Sequence, residues 1–196
     1  TPQDCRWPLS MNIALKSLPN LMTVMRLVMA PVVAILIWTD DVTSGYAPAL
    51  TLFILASISD FLDGWMARRL GIVSKFGAML DPIADKVLIG VCLLALARVT
   101  GDGWLFFLPA LVIMTREFLI SGIREFMAGR SVTIPVSQLA KWKTTLQLVS
   151  IGLLMAAPVF PDVPFVNEAG LVTLWLAAAI TAQTGWIYFR GTLDHV

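Results

Sequence analysis

Six α-helices crossing a bilayer, led in by a short helix lying in its surface, form the architecture this sequence predicts. Three observations carry that prediction. The chain of 196 residues is 58% hydrophobic and only 14% charged, whereas soluble domains carry about 25% charged residues. Its mean hydropathy is +0.81. Its apolar residues gather into six segments, at about 20–39, 46–68, 80–98, 103–128, 138–158 and 168–189, each near the roughly 20 residues that a crossing helix needs. The chain therefore reads as an all-α integral membrane protein. Residues 1–18 make a polar N-terminal tail and interfacial helix, and residues 19–196 make one six-helix membrane domain. With no internal repeat, low-complexity tract or long polar loop, a separate soluble domain is not expected.

Taken in order, the elements have local reasons. Asn12 to Leu18 suits an interfacial helix, with Lys16 among the headgroups and Ile13 and Leu15 dipping into lipid. Nothing ahead of the first apolar run has the charged, then apolar, then small order of a cleaved signal peptide, so the spans themselves are expected to direct insertion. Pro19 fits the start of the first span, where a missing N–H costs least. The proline-rich stretch 158–164 forms the turn between the fifth and sixth spans.

Orientation follows from the basic residues. Lys16, Arg68, Arg69, Lys75, Arg130, Lys141, Lys143 and Arg190 fall at one set of span ends, and the opposite connections, 39–47, 100–103 and 158–167, hold no Lys or Arg. Arg98 alone lies on the other side. The positive-inside rule then places both termini and the turn between the second and third spans in the cytoplasm. Trp38, Trp104, Trp175 and Trp186 stand near span ends, as an aromatic belt requires.

Composition also excludes. A net charge of +1 offers no electrostatic footprint for nucleic acid. Cys5 and Cys92 lie in unlike surroundings and neither pair nor cluster. The single histidine, His195, sits in the C-terminal tail, which leaves Ser-His-Asp and Cys-His chemistry without a base.

The densest chemistry lies between Asp60 and Asp85. Asp60, Asp63, Asp81 and Asp85 fall in otherwise lipid-compatible sequence, at spacings that put each pair on one helix face, with neighbouring Cβ atoms about 5–6 Å apart. Acids at membrane depth are rare and usually functional. A hairpin bringing both faces together would need cations between the carboxylates, and oxygen ligands select a hard ion, Mg²⁺ or Mn²⁺, one or two. Gly64 follows Asp63, although glycine within a helix costs about 1 kcal/mol against alanine. With Ala67 it leaves a groove that suits either close approach of a ligand or close helix packing.

Two further regions are polar inside apolar sequence. Asn20, Thr23 and Arg26 share a face at three-residue spacing. They read either as capping plus an arginine reaching back to the interface, or as the lining of a polar pocket. Arg116 and Arg124 repeat at eight residues with Glu117 and Glu125 at the same offset, and Lys141 and Lys143 open the fifth span. These charges form internal ion pairs or bind an incoming phosphate.

Asp60, Asp63, Gly64, Ala67, Arg68, Gly77, Asp81 and Asp85, with eight residues between Arg68 and Gly77, resemble the signature of the CDP-alcohol phosphotransferases at every position. The Asn20–Arg26, Thr115–Glu117, Arg124–Glu125 and Lys141–Thr144 elements are similar to those of the bacterial branch that uses glycerol 3-phosphate as acceptor, and this likeness runs from about Ser17 to Ser150. The resemblance implies transfer of a phosphatidyl group from CDP-diacylglycerol to sn-glycerol 3-phosphate with release of CMP. It implies a homodimer in the bacterial inner membrane, with the site facing the cytoplasm among membrane lipids.

By the same resemblance, Asp60, Asp63, Asp81 and Asp85 hold two metal ions, and Asp85 is the candidate general base. Asn20, Thr23, Asp63, Gly64, Ala67, Arg68, Lys75 and Gly77 meet CDP-diacylglycerol, and Arg116, Arg124, Lys141 and Lys143 meet the acceptor phosphate. The rival expectations are another acceptor (serine, an inositol phosphate or phosphatidylglycerol) and, in a different class, a divalent-cation carrier.

Overall fold

The structure, a computed structural model, describes residues 9–39, 41–70, 75–128 and 139–193, and within them the side chains of 21–39, 41–60, 62, 77, 79–127 and 142–192. Six α-helices follow one another: α1 Leu9–Trp38, α2 Ala47–Leu70, α3 Lys75–Val99, α4 Trp104–Ala128, α5 Leu139–Val159 and α6 Val166–Leu193. A single π-helical turn, Val42–Tyr46, leads into α2 and is capped by the Asp41 carboxylate, which accepts from the Ser44 backbone N–H. Over the described residues, four segments are long and apolar enough to cross a membrane: Leu21–Trp38, Val42–Asp60, Trp104–Met127 and Val166–Thr192.

The helices outrun the apolar segments that announce them. α1 begins at Leu9 and passes unbroken through the expected interfacial stretch and Pro19, so that stretch belongs to the first long helix rather than to a separate one. α3 starts at Lys75, ahead of the apolar run. Hydropathy marks where lipid-compatible sequence begins, whereas the i→i−4 ladder continues for as long as the backbone can sustain it.

α1 packs mainly on α3 and α2, and α6 packs on α5 and α4. On α1 the buried stripe reads Thr23, Arg26, Ala30, Val33, Ile37, alternating three- and four-residue steps along one face. It meets Phe53 and Ala56 of α2 and Leu88, Cys92 and Leu96 of α3 in one core with Ile151 and Met155 of α5 and Leu174 and Ala177 of α6. Lipid is as apolar as these side chains, so packing rather than water exclusion holds the helices, and small residues permit the closest approaches. Gly170 of α6 is one such point: a Cβ there would stand 2.8 Å from Leu154 Cγ and 3.2 Å from the Leu154 backbone nitrogen. Gly170→Ala should therefore lower the melting temperature in detergent, by the equivalent of about 1–3 kcal/mol for overpacking; an unchanged midpoint would show that α5 and α6 can part there without loss.

The buried stripes of α1, α5 and α6 turn polar toward the same end of the bundle. Thr23 and Arg26 end the stripe of α1, Lys143 and Gln147 that of α5, and Thr181 and Thr184 that of α6. The opposite end is closed differently. Arg98, the one basic residue found there by charge counting, lays its guanidinium 3.9 Å over the Trp38 ring and donates to the Trp38 carbonyl at the end of α1. A cation at a helix C-terminus and over an indole face has two partners that need no acid.

Candidate active site

Arg26 organises the acidic half of the site. Its side chain is 1% exposed, and Nη1 lies 2.6 Å from Asp60 Oδ1 of α2 and 2.9 Å from Asp85 Oδ1 of α3. One turn earlier on α1, Thr23 donates to Asp81 Oδ1 at 2.5 Å. The arginine thus does not reach back to the interface; it draws α2 and α3 together from the third side. Asp60 and Asp85 remain more than a third exposed, so the carboxylates open outward from a buried cationic root. Ser57 and Thr144 complete the lining of the crevice between them, with Leu88, Ile89 and Leu148 as its apolar floor.

The donor set fits a hard cation. Asp60, Asp81 and Asp85 supply oxygen ligands from two helices, and Arg26 offsets only one of their three charges. Among the described residues, no group of three or more His, Cys, Asp or Glu side chains is already closed around a single point. The backbone of Asp63 belongs to α2, but its side chain lies outside the described residues, as do those of Asn20, Ala67, Arg68, Lys75 and Lys141; of Gly64 only the helical backbone is described. Gly77 is buried near the start of α3.

A second, basic cluster stands where α4, α5 and α6 meet. Glu117 Oε1 accepts from Lys143 Nζ of α5 and from its neighbour Arg116, whose Nη1 lies 3.2 Å away. Arg116 Nη2 donates to Thr184 Oγ1 of α6 at 3.1 Å. All three charged side chains are nearly buried, at 13%, 12% and 8% exposed for Arg116, Glu117 and Lys143. Among the described residues two cations share one anion here, so that set holds one positive charge more than it neutralises. Of the two alternatives posed by the sequence, the described residues form the internal pairs, and a surplus positive charge stands beside them. Arg124 is exposed and lies 5.8 Å from the Tyr188 ring centroid, on the α4–α6 side; Glu125 is exposed too. The structure therefore joins Arg116 and Lys143 through Glu117, while Arg124 turns toward Tyr188.

Sequence reasoning passed over the contribution of α6. Gln147 Nε2 donates to Thr181 Oγ1, and Thr184 takes Arg116. The signal was present, since Thr181, Gln183, Thr184 and Gly185 interrupt an otherwise apolar span. Its meaning depended on which helix the hydroxyls faced.

The chain is similar to known proteins over most of its length. Residues 16–183 match the family model described as CDP-alcohol phosphatidyltransferase. The chain is 41% identical to a protein of Rickettsia typhi, over 90% of this chain and 97% of the other. It is 38% identical to one of Cereibacter sphaeroides, over 92% and 97%, and 34% identical to one of Escherichia coli K12, over 84% and 88%. All three are named CDP-diacylglycerol–glycerol-3-phosphate 3-phosphatidyltransferase. The match takes in Asp60, Asp81 and Asp85, the charged residues Arg116, Glu117 and Lys143, and part or all of each of the six helices, and on that ground the chain belongs to the CDP-alcohol phosphatidyltransferase family.

Proposed function

We propose that this chain transfers the phosphatidyl group of CDP-diacylglycerol to sn-glycerol 3-phosphate, forming phosphatidylglycerol phosphate and CMP. The observation that carries the reading is the pairing of two unlike polar clusters at one end of an apolar bundle. One gathers Asp60 and Asp85 on Arg26 with Asp81 on the neighbouring Thr23; the other, among the described residues, sets two cations, Arg116 and Lys143, on the one anion Glu117. A lipid-linked nucleotide keeps its acyl chains in the bilayer while its diphosphate and the water-soluble acceptor arrive from the cytoplasm. A polar end on a membrane bundle is where they can meet.

In this reading all six helices span the inner membrane, with both termini and the site on the cytoplasmic side, and the working unit is a homodimer. The family is generally dependent on a divalent metal; Asp60, Asp63, Asp81 and Asp85 would hold two ions, Mg²⁺ or Mn²⁺. When bound, the metal neutralises charge on the diphosphate. Asn20, Thr23, Gly64, Ala67, Arg68, Lys75 and Gly77 line the nucleotide side. Arg116, Arg124, Lys141 and Lys143 hold the acceptor phosphate. Asp85 takes the proton from the acceptor hydroxyl as its oxygen bonds to the phosphatidyl phosphorus and the bond to the CMP oxygen breaks.

Release of CMP by purified protein, assayed with each acceptor in turn, tests the substrate assignment. Glycerol 3-phosphate should support turnover, whereas serine, an inositol phosphate and phosphatidylglycerol should not. Stripping divalent metal should reduce the rate at least about a hundredfold, with recovery on adding Mg²⁺ or Mn²⁺. Undiminished CMP release after stripping would remove the metal from the reaction, and metal uptake into proteoliposomes without nucleotide would make the protein a carrier instead.

A further inference from the structure

We propose that α6 builds the seat of Arg116. Thr184 and Gly185 are positioning residues that hold its guanidinium in the acceptor site and thereby set the KM for glycerol 3-phosphate. The inference rests on the reading of Arg116 as an acceptor-binding residue and adds a helix whose polar residues have so far had no role. Thr184 is buried, and its hydroxyl hydrogen is committed within the helix, to the Ile180 carbonyl at 2.8 Å or the Thr181 carbonyl at 3.1 Å. Its lone pairs are therefore turned outward, and Arg116 Nη2 donates to them at 3.1 Å. With Nη1 on Glu117, the guanidinium is held at both of its ends, by α4 itself and by α6.

Gly185 supplies the space. A Cβ at this position would stand 2.7 Å from Arg116 Cγ and 3.1 Å from its Nε. Cγ is near the root of the side chain, so the contact cannot be relieved by swinging a flexible tip; χ1 of Arg116 would have to change, or α4 and α6 would have to move apart. Arg116 Nε is itself buried without a hydrogen-bond partner among the described residues, so this part of the side chain is positioned by packing alone. An arginine pinned at Nη1 and Nη2 and packed flat against a glycine loses little further freedom when an anion arrives. A rotated guanidinium would meet the same anion with fewer aligned donors.

Four variants of the full chain separate this role from a structural one: Gly185→Ala, Thr184→Val, Thr184→Ser and Arg116→Ala. The readouts are KM for each substrate by CMP release, and melting temperature. Gly185→Ala and Thr184→Val should each raise the KM for glycerol 3-phosphate about tenfold, as expected for a lost hydrogen bond to a charged group. The KM for CDP-diacylglycerol should stay within about twofold. Alanine favours helix over glycine, but its Cβ would stand 2.7 Å from Arg116 Cγ, so Gly185→Ala should lower the melting temperature modestly, while Thr184→Ser should behave like the parent in both readouts. Were Gly185→Ala not to fold, the contrast between Thr184→Val and Thr184→Ser decides alone.

An unchanged acceptor KM in Gly185→Ala and Thr184→Val, with a raised one in Arg116→Ala, would overturn the seat and leave the acceptor site standing. An unchanged acceptor KM in Arg116→Ala would overturn both. Equal rises for the two substrates with a lowered melting temperature would reduce Thr184 and Gly185 to packing.

Discussion

Asp85→Asn should abolish turnover while leaving donor binding largely in place. Asparagine keeps a side-chain oxygen where Asp85 Oδ1 accepts from Arg26 Nη1 at 2.9 Å, so the contact between α1 and α3 survives. What is lost is the capacity to take a proton, and removing a positioned general base costs about 10²–10⁴ in rate. Initial rates of CMP release, beside equilibrium binding of CDP-diacylglycerol, measure the two effects separately. Wild-type-like turnover would dispose of the base assignment. Loss of donor binding together with turnover would place Asp85 among the groups that hold the diphosphate instead.

Arg26→Leu should disable the site by a different route, through its architecture. The guanidinium is wholly buried and bridges Asp60 and Asp85. Leucine, shorter and uncharged, leaves two carboxylates of α2 and α3 facing each other without it. Breaking a fully buried pair costs about 3–5 kcal/mol. Because Asp60 and Asp85 are each more than a third open to solvent, the loss should fall below that range, to about 1–2 kcal/mol. The melting temperature in detergent should therefore fall by several degrees and turnover should fall about a hundredfold or more, as the carboxylates splay. Arg26→Lys should recover part of the stability, since an ammonium keeps the charge but not the planar fork. A melting temperature equal to the parent's in Arg26→Leu would mean that the bridge does not hold α1, α2 and α3 together.

The two substitutions show how unevenly the site could be read in advance. The acidic motif is legible in one dimension because both of its pairs sit at helical spacing, and that spacing alone puts Asp60 beside Asp63 and Asp81 beside Asp85 on their helices. Arg26 was visible as part of a polar face, yet whether it reached for the interface or turned inward was undecided; its partners are 34 and 59 residues away along the chain. Glu117 was visible as a counterion, but its sharing between Arg116 and Lys143 was not. Arg124 shared the eight-residue rhythm of Arg116 and yet lies against Tyr188, because two turns of a helix carry a side chain far along the axis even when they keep it on one face.

Composition and periodicity were enough to establish an apolar all-helical chain, the helix faces that carry charge, and the single end at which that charge collects. These are local properties: 3.6 residues per turn decide who shares a face, and hydropathy decides what lipid tolerates. Which cation meets which carboxylate, and that Thr184 and Gly185 of the last helix receive Arg116, came only with the assembled bundle. The depth and rotation of one helix against another are set by packing summed along whole interfaces, and no stretch of chain contains that sum.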